Sequence, residues 1–117
     1  QCLVGSEMCI ETVFNVTINE SLAVALLTNL LKNAFVHNID GGHIRITVTK
    51  NSITFRNSGV KNPLDKEHIF ERFYQGTKKE GSTGLGLAIA DSICRLQHLS
   101  IRYYFEQKEH CFEISRQ

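Results

Sequence analysis

The sequence predicts a two-layer α/β sandwich of the α+β kind, with a mixed β-sheet packed on about three helices, and three observations predict it. A long apolar run from Ser21 to Asn38 has helical length and periodicity. Four shorter runs rich in β-branched and aromatic residues come in two pairs, each pair flanking a polar dipeptide. The order strand, helix, hairpin, irregular stretch, helix, hairpin lacks the regular alternation of a doubly wound fold. A chain of 117 residues has the size of one compact domain, residues 1–117. With 42% hydrophobic residues, 21% charged and one proline it can bury a core, which excludes disordered and collagen-like classes.

From Val13 to Ile18 the chain alternates loosely and reads as an edge or half-buried strand. Asn19 then supplies an N-cap and Glu20 a first-turn acid for the helix SLAVALLTNLLKNAFVHN, with Thr28 and Lys32 as its solvent edge and the other positions mostly apolar. Asp40-Gly41-Gly42 breaks that helix, and HIRITVT and SITFRN flank Lys50-Asn51 as a hairpin. Between Ser58 and Thr83 the chain is polar and irregular, carrying Pro63, Gly76, Gly81 and Lys78-Lys79, with one short helical patch, DKEHIFERF. That stretch reads as a mobile flap. A second helix is expected from about Leu85 to His98, and SIRYYFEQ and HCFEISR close the chain as a hairpin around Lys108-Glu109.

Thirteen basic against twelve acidic residues leave a net charge of +1, which gives no field to hold a polyanion, so no nucleic-acid partner is expected. The four cysteines form no C-x-x-C pair and have no histidine at metal-ligand spacing, which excludes zinc and redox motifs and leaves free thiols of a reducing compartment. No apolar run reaches the ~18–20 residues of a membrane span. The sequence opens on Gln1 rather than methionine, so the domain is expected to be the C-terminal part of a longer protein.

Three groups of residues carry chemistry. At ~100° per residue, Asn29, Asn33 and His37 lie along one stripe of the first helix. Amides in a protected position need partners, which makes them receivers of a ligand or an ion, or residues satisfied locally. GSTGLGL, between the flap and the second helix, can bring backbone N–H groups to an anion beside a helix N-terminus, or make an ordinary turn. It is neither G-x-x-x-x-G-K-[ST] nor a dinucleotide fingerprint. FRNSG ends a strand with Asn57 and Gly59, as recognition of a flat base edge or a simple turn would require. In IFERFY the phenylalanines anchor Arg72, whose fork suits a phosphate, a carboxylate or a surface ion pair.

Taken in order, NLLKNAFVHN, FRNSG, IFERFY and GSTGLGLAIA resemble the N, G1, F and G2 boxes of the ATP-binding domain of sensor histidine kinases. The resemblance implies the Bergerat fold shared with gyrase-type ATPases, with ATP between the first helix and a mobile lid at about residues 60–83. By the same resemblance, Asn33 is the residue that holds Mg²⁺, supported by Asn29, and His37 lies against adenine or ribose. Asn57 and Gly59 face the base, Thr83, Gly84, Leu85 and Gly86 surround the phosphates, and Arg72 points toward the γ-phosphate. The activity implied is that of a protein-histidine kinase catalytic domain, which binds Mg-ATP and donates its γ-phosphate to a histidine on a separate dimerisation domain of the same kinase. The partners implied are that acceptor domain and a response regulator, in a cytoplasmic setting beside a membrane-anchored sensor, with dimerisation only in the full-length protein.

The chain departs from the family pattern at Asn57, usually an aspartate, at Lys61 and Ser82, usually glycines, and at Val36, usually basic. At position 57 a charge-assisted bond of ~1.5–3 kcal/mol becomes a neutral one of ~0.5–1.5 kcal/mol, so restoring aspartate is expected to add about 1 kcal/mol to adenine recognition. Hydrolysing relatives have a glutamate base where Asn29 stands, and an amide cannot take a proton from water. None of the five histidines lies in an H-E-x-x-T-P-like context, so the acceptor is expected outside this chain. Two alternative readings are a degenerate nucleotide-binding or protein-interaction module and a serine kinase of the anti-sigma-factor type.

Overall fold

The computed structural model describes residues 14, 16–59, 63–72 and 84–117. Their elements are α1 (Glu20–Val36), β1 (Ile44–Val48), β2 (Ser52–Asn57), α2 (Gly86–Leu96), β3 (Leu99–Glu106) and β4 (Glu109–Arg116). The strands form one sheet in the order β1-β2-β4-β3, and α1 and α2 pack on each other and against one face of it. No described helix is long and apolar enough to cross a membrane.

The sheet is held by rows of residues across its register. Ile53, Ile114 and Ile101 form one row, Phe55, Phe112 and Tyr103 the next, and Asn57, His110 and Phe105 a third. Because side chains alternate along a strand, all three rows face the helices. Leu26, Leu30 and Ala34 of α1 and Ala90, Ile93 and Cys94 of α2 are buried on that side. Ile69, from the irregular stretch, joins the same core. The opposite face is polar: Arg56 pairs with Glu106 at 3.1 Å, and Arg102, bonded to Glu113, stacks on the Tyr104 ring at 4.9 Å.

Helix α1 begins where Asn19 accepts the Leu22 N–H through its side chain, at 3.2 Å, and ends where the His37 N–H donates to the Asn33 carbonyl. Its apolar character is wider than its buried face. Val24 is 59% exposed, Phe35 70%, and Leu27 is exposed too, so the solvent edge extends well beyond Thr28 and Lys32. A helix resting on one sheet and one neighbour hides only the flanks that touch them.

Four further expectations are corrected. Among the described residues every strand pairing is antiparallel, so the sheet is not mixed there. The first run, Val13 to Ile18, would have supplied another strand, but its described residues lie outside the sheet, although Phe14 and Ile18 pack on the core. Two helices are described rather than three, because residues 65–72, the described part of DKEHIFERF, close only a hydrogen-bonded turn. There Asp65 accepts the His68 and Ile69 N–H groups and pairs with the His68 ring at 2.6 Å, and so short a segment cannot offset the cost of helix nucleation. The last hairpin turns at Gln107 and Lys108, one residue earlier than expected, with φ of 52° and 64°. Of the expected lid, residues 60–62 and 73–83 lie outside the described residues.

Candidate nucleotide site

One end of the candidate site is built where the middle of α1 meets the start of α2. The Asn29 amide donates to the Ala25 carbonyl one turn earlier, at 2.8 Å, so this asparagine is satisfied locally, one of the two outcomes open to it. That bond turns Oδ1 toward α2, where a Cβ on Gly86 would lie 3.2 Å from it. Gly84, at φ 75°, swings the chain into α2, and Leu85 caps the helix without a side-chain hydrogen bond. The first turn of α2 contains no acid, unlike that of α1, which has Glu20 and the Asn19 cap. Its leading N–H groups thus carry the positive end of the helix dipole toward Asn29, with no acidic side chain in that turn. Asn33, one turn after Asn29, is half-buried, and its side chain has no hydrogen bond among the described residues. A carboxamide oxygen without a hydrogen bond is of the hard-donor type that a divalent cation such as Mg²⁺ takes.

At the other end of the candidate site, Asn57 lies on the helix-covered face at the end of β2 and is 2% exposed. Its Nδ2 donates to the Ser58 carbonyl at 2.7 Å. A carbonyl only accepts, so this bond fixes the amide and leaves Oδ1 as the atom able to receive an amino group. Gly59 is held between two elements: a Cβ there would stand 2.9 Å from the His37 carbonyl and 3.0 Å from His110 Cδ2. Only glycine fits such an approach. Ser58 secures the corner from behind, accepting the His43 N–H at 2.8 Å and donating to Asn38 Oδ1.

Glu109 braces this end across the sheet. Though on the polar face it is buried, and Arg45 of β1 binds it through two nitrogens while His43 Nε2 lies 2.7 Å away. The Arg45 hydrogen bond holds its carboxyl below the usual carboxylate range, against burial, which pushes it up. The brace spans β2 close to Asn57. Burial drives Cys94 in the opposite direction, to about 11, so this thiol stays protonated and unreactive near neutral pH.

The structure therefore gathers Asn29 with Gly86, and Asn57 and Gly59 with the end of α1 at His37, with Asn33 between them on the helix. Arg72 is exposed at the end of segment 63–72, and Thr83 lies outside the described residues. Sequence reasoning missed Asn38, Ser58, Tyr103 and His110. The alternation His110, Phe112, Ile114 could have revealed an inward histidine, but the hydroxyl of Tyr103, 2.7 Å from His110 Nδ1, has no sequence signal.

The profile of the histidine kinase-, DNA gyrase B- and HSP90-like ATPases matches residues 18–115. Sensor histidine kinase RppB of Synechocystis is 43% identical over 84 residues, 64% of this chain and 18% of that protein. Heme sensor protein HssS of Staphylococcus aureus is 39% identical over 90 residues, 73% of this chain and 20% of that protein. The chain thus spans about a fifth of the length of these relatives. The nucleotide-free catalytic domain of histidine kinase ThkA superposes with a TM-score of 0.71 at 27% identity, over 85% of this chain and 68% of that one. Mycobacterial sensor histidine kinase MprB, at 21% identity, shares the fold with a TM-score of 0.71, over 86% and 77% of the two chains. The motifs, the packing of α1 and α2 on one face of the sheet, and the match over residues 18–115 together place this chain in the family of histidine kinase-, DNA gyrase B- and HSP90-like ATPases.

Proposed function

We propose that this domain binds Mg-ATP and presents the γ-phosphate to a histidine on a separate dimerisation domain of the same protein, as the catalytic part of a sensor kinase that signals to a response regulator at the cytoplasmic side. The observation that carries the reading is the close approach of Asn29 Oδ1 to Gly86, which sets a helix start with no acid in its first turn against the asparagine stripe, in a chain whose relatives are sensor histidine kinases. In this reading the α2 N–H groups and Gly84 receive the phosphates, Asn33 holds Mg²⁺, Asn57 Oδ1 accepts from the adenine amino group, and His37 borders the ribose or base. Arg72 and Thr83 approach the phosphates from the flap. Bound Mg²⁺ would neutralise phosphate charge during transfer.

Asn29 separates transfer from hydrolysis. Its amide nitrogen is bonded to Ala25 and its oxygen cannot remove a proton from water, so the chain orients phosphate without activating a hydrolytic water. Calorimetric titration with Mg-ATP is expected to show binding by the wild type and its loss or severe weakening in Asn33→Ala. Radiolabelled ATP should label an added acceptor-helix fragment slowly, since the tether that raises effective concentration is absent. Equal affinities of wild type and variant would overturn the assignment of Asn33, and rapid ATP hydrolysis by the chain alone would overturn the kinase reading.

A further inference from the structure

Tyr103 and His110 belong to no motif, yet they are among the most enclosed polar side chains of the sheet, 5% and 4% exposed. They lie on the helix-covered face of β3 and β4, with ring centroids 5.9 Å apart at 23°. The Tyr103 hydroxyl accepts the Leu64 N–H at 2.9 Å and lies 2.7 Å from His110 Nδ1. The Leu64 amide can only donate, while the hydroxyl and Nδ1 can each give or take the proton between them. Either way the bond holds the ring at Nδ1, with Nε2 on its far side. That nitrogen is beside Gly59, within 3.3 Å of where a Cβ would stand, and His110 is the ladder partner of Asn57. Gly59 and Leu64 are five positions apart in the chain, and Tyr103 holds both, Leu64 directly and Gly59 through the ring that packs on it.

We propose that Tyr103 is a positioning residue for the base end of the candidate site, which it shapes by clamping Leu64 and fixing the His110 ring in one orientation beside Asn57 and Gly59. Its consequence for affinity rests on the nucleotide reading above; its geometry does not. Tyr103→Phe removes one oxygen and keeps the ring that packs on Phe112 at 5.2 Å. Three measurements on the full chain test it: the His110 tautomer by side-chain nitrogen NMR, exchange of the Leu64 amide, and Mg-ATP titration. The wild type should show one protonation pattern of the ring, held by the Tyr103 hydroxyl. The variant should show mixed tautomers, faster Leu64 exchange, and an affinity lower by roughly two- to tenfold, the range one hydrogen bond spans.

An unchanged tautomer and unchanged Leu64 exchange in Tyr103→Phe would overturn the clamp. A changed tautomer with undiminished Mg-ATP affinity would overturn the positioning role. Failure of the wild type to bind Mg-ATP would overturn the nucleotide reading and the positioning role with it, while the NMR and exchange data still decide the clamp. Should Tyr103→Phe not fold, His110→Asn keeps an acceptor near the place of Nδ1 and should preserve slow Leu64 exchange, whereas His110→Phe removes it and should speed exchange. Equal exchange in those two variants would equally overturn the clamp.

Discussion

An aspartate at position 57 would carry a full charge toward an adenine amino group, but in this chain it would also set a carboxylate oxygen against the Ser58 carbonyl, where Asn57 Nδ2 now donates at 2.7 Å. The family's residue and this residue are thus fitted to different neighbours. Asn57→Asp should lower the stability of the free domain by about 1–3 kcal/mol, the cost of an unsatisfied buried polar group. Mg-ATP should restore part of that loss, because a ligand that binds only the folded state stabilises it. Thermal unfolding of wild type and variant, with and without Mg-ATP, measures both effects. Equal stability of the free forms would mean that the Ser58 bond does not orient this amide. The sequence reveals the type of residue at 57 but not the direction of its amide, which depends on one carbonyl.

Helix α2 ends on His98 at φ 59°, a left-handed conformation that glycine adopts without penalty and that costs another residue about 1–2 kcal/mol. His98→Gly should stabilise the domain by about 0.5–1 kcal/mol, the relief being partly offset by the greater freedom of glycine in the unfolded chain. Urea unfolding gives the number, and a lower midpoint would show that the His98 side chain contributes more than its backbone costs. Elements of this kind were largely legible in the sequence. Asn19, Asp40-Gly41-Gly42 and Lys50-Asn51 mark turns and caps through local chemistry, and the two helices and two hairpins follow from period alone. What was not legible depended on distant partners. DKEHIFERF has helical composition but is too short to form a helix without neighbours, and the outer flank of α1 is as apolar as its core flank, so composition could not say which of Leu26 and Val24 is buried. The motifs named candidate site residues, whereas the approach of Asn29 Oδ1 to Gly86 and the bond from the Leu64 N–H to Tyr103 join segments remote in the chain and required the fold.

At the scale of the whole molecule, Glu109 ties β4 to β1 across the intervening strand through Arg45 and His43. Its folded carboxyl is held below its ordinary value, so its contribution to stability is complete above the unfolded value of about 4.5 and is lost as the pH falls through the lower folded value. Wild-type unfolding midpoints should therefore decline below about pH 4.5, and Glu109→Gln should be less stable at neutral pH with a flatter acid limb. Parallel acid limbs in the two proteins would remove Glu109 from the account. A different constraint follows from the way α1 carries its core stripe, Leu26, Leu30 and Ala34, directly beside Asn29, Asn33 and His37. One extra residue inserted after Leu31 would turn everything beyond it by about 100°, leaving Leu26, Leu30 and Asn29 in place and carrying Asn33 off the stripe of Asn29 and His37 away from Gly59. Such an insertion should abolish nucleotide binding while much of the fold survives, whereas polar replacements of the exposed Val24 or Phe35 should leave binding intact. In this helix the letters on the outer flank are free to drift, but the reading length between Asn29 and His37 is not.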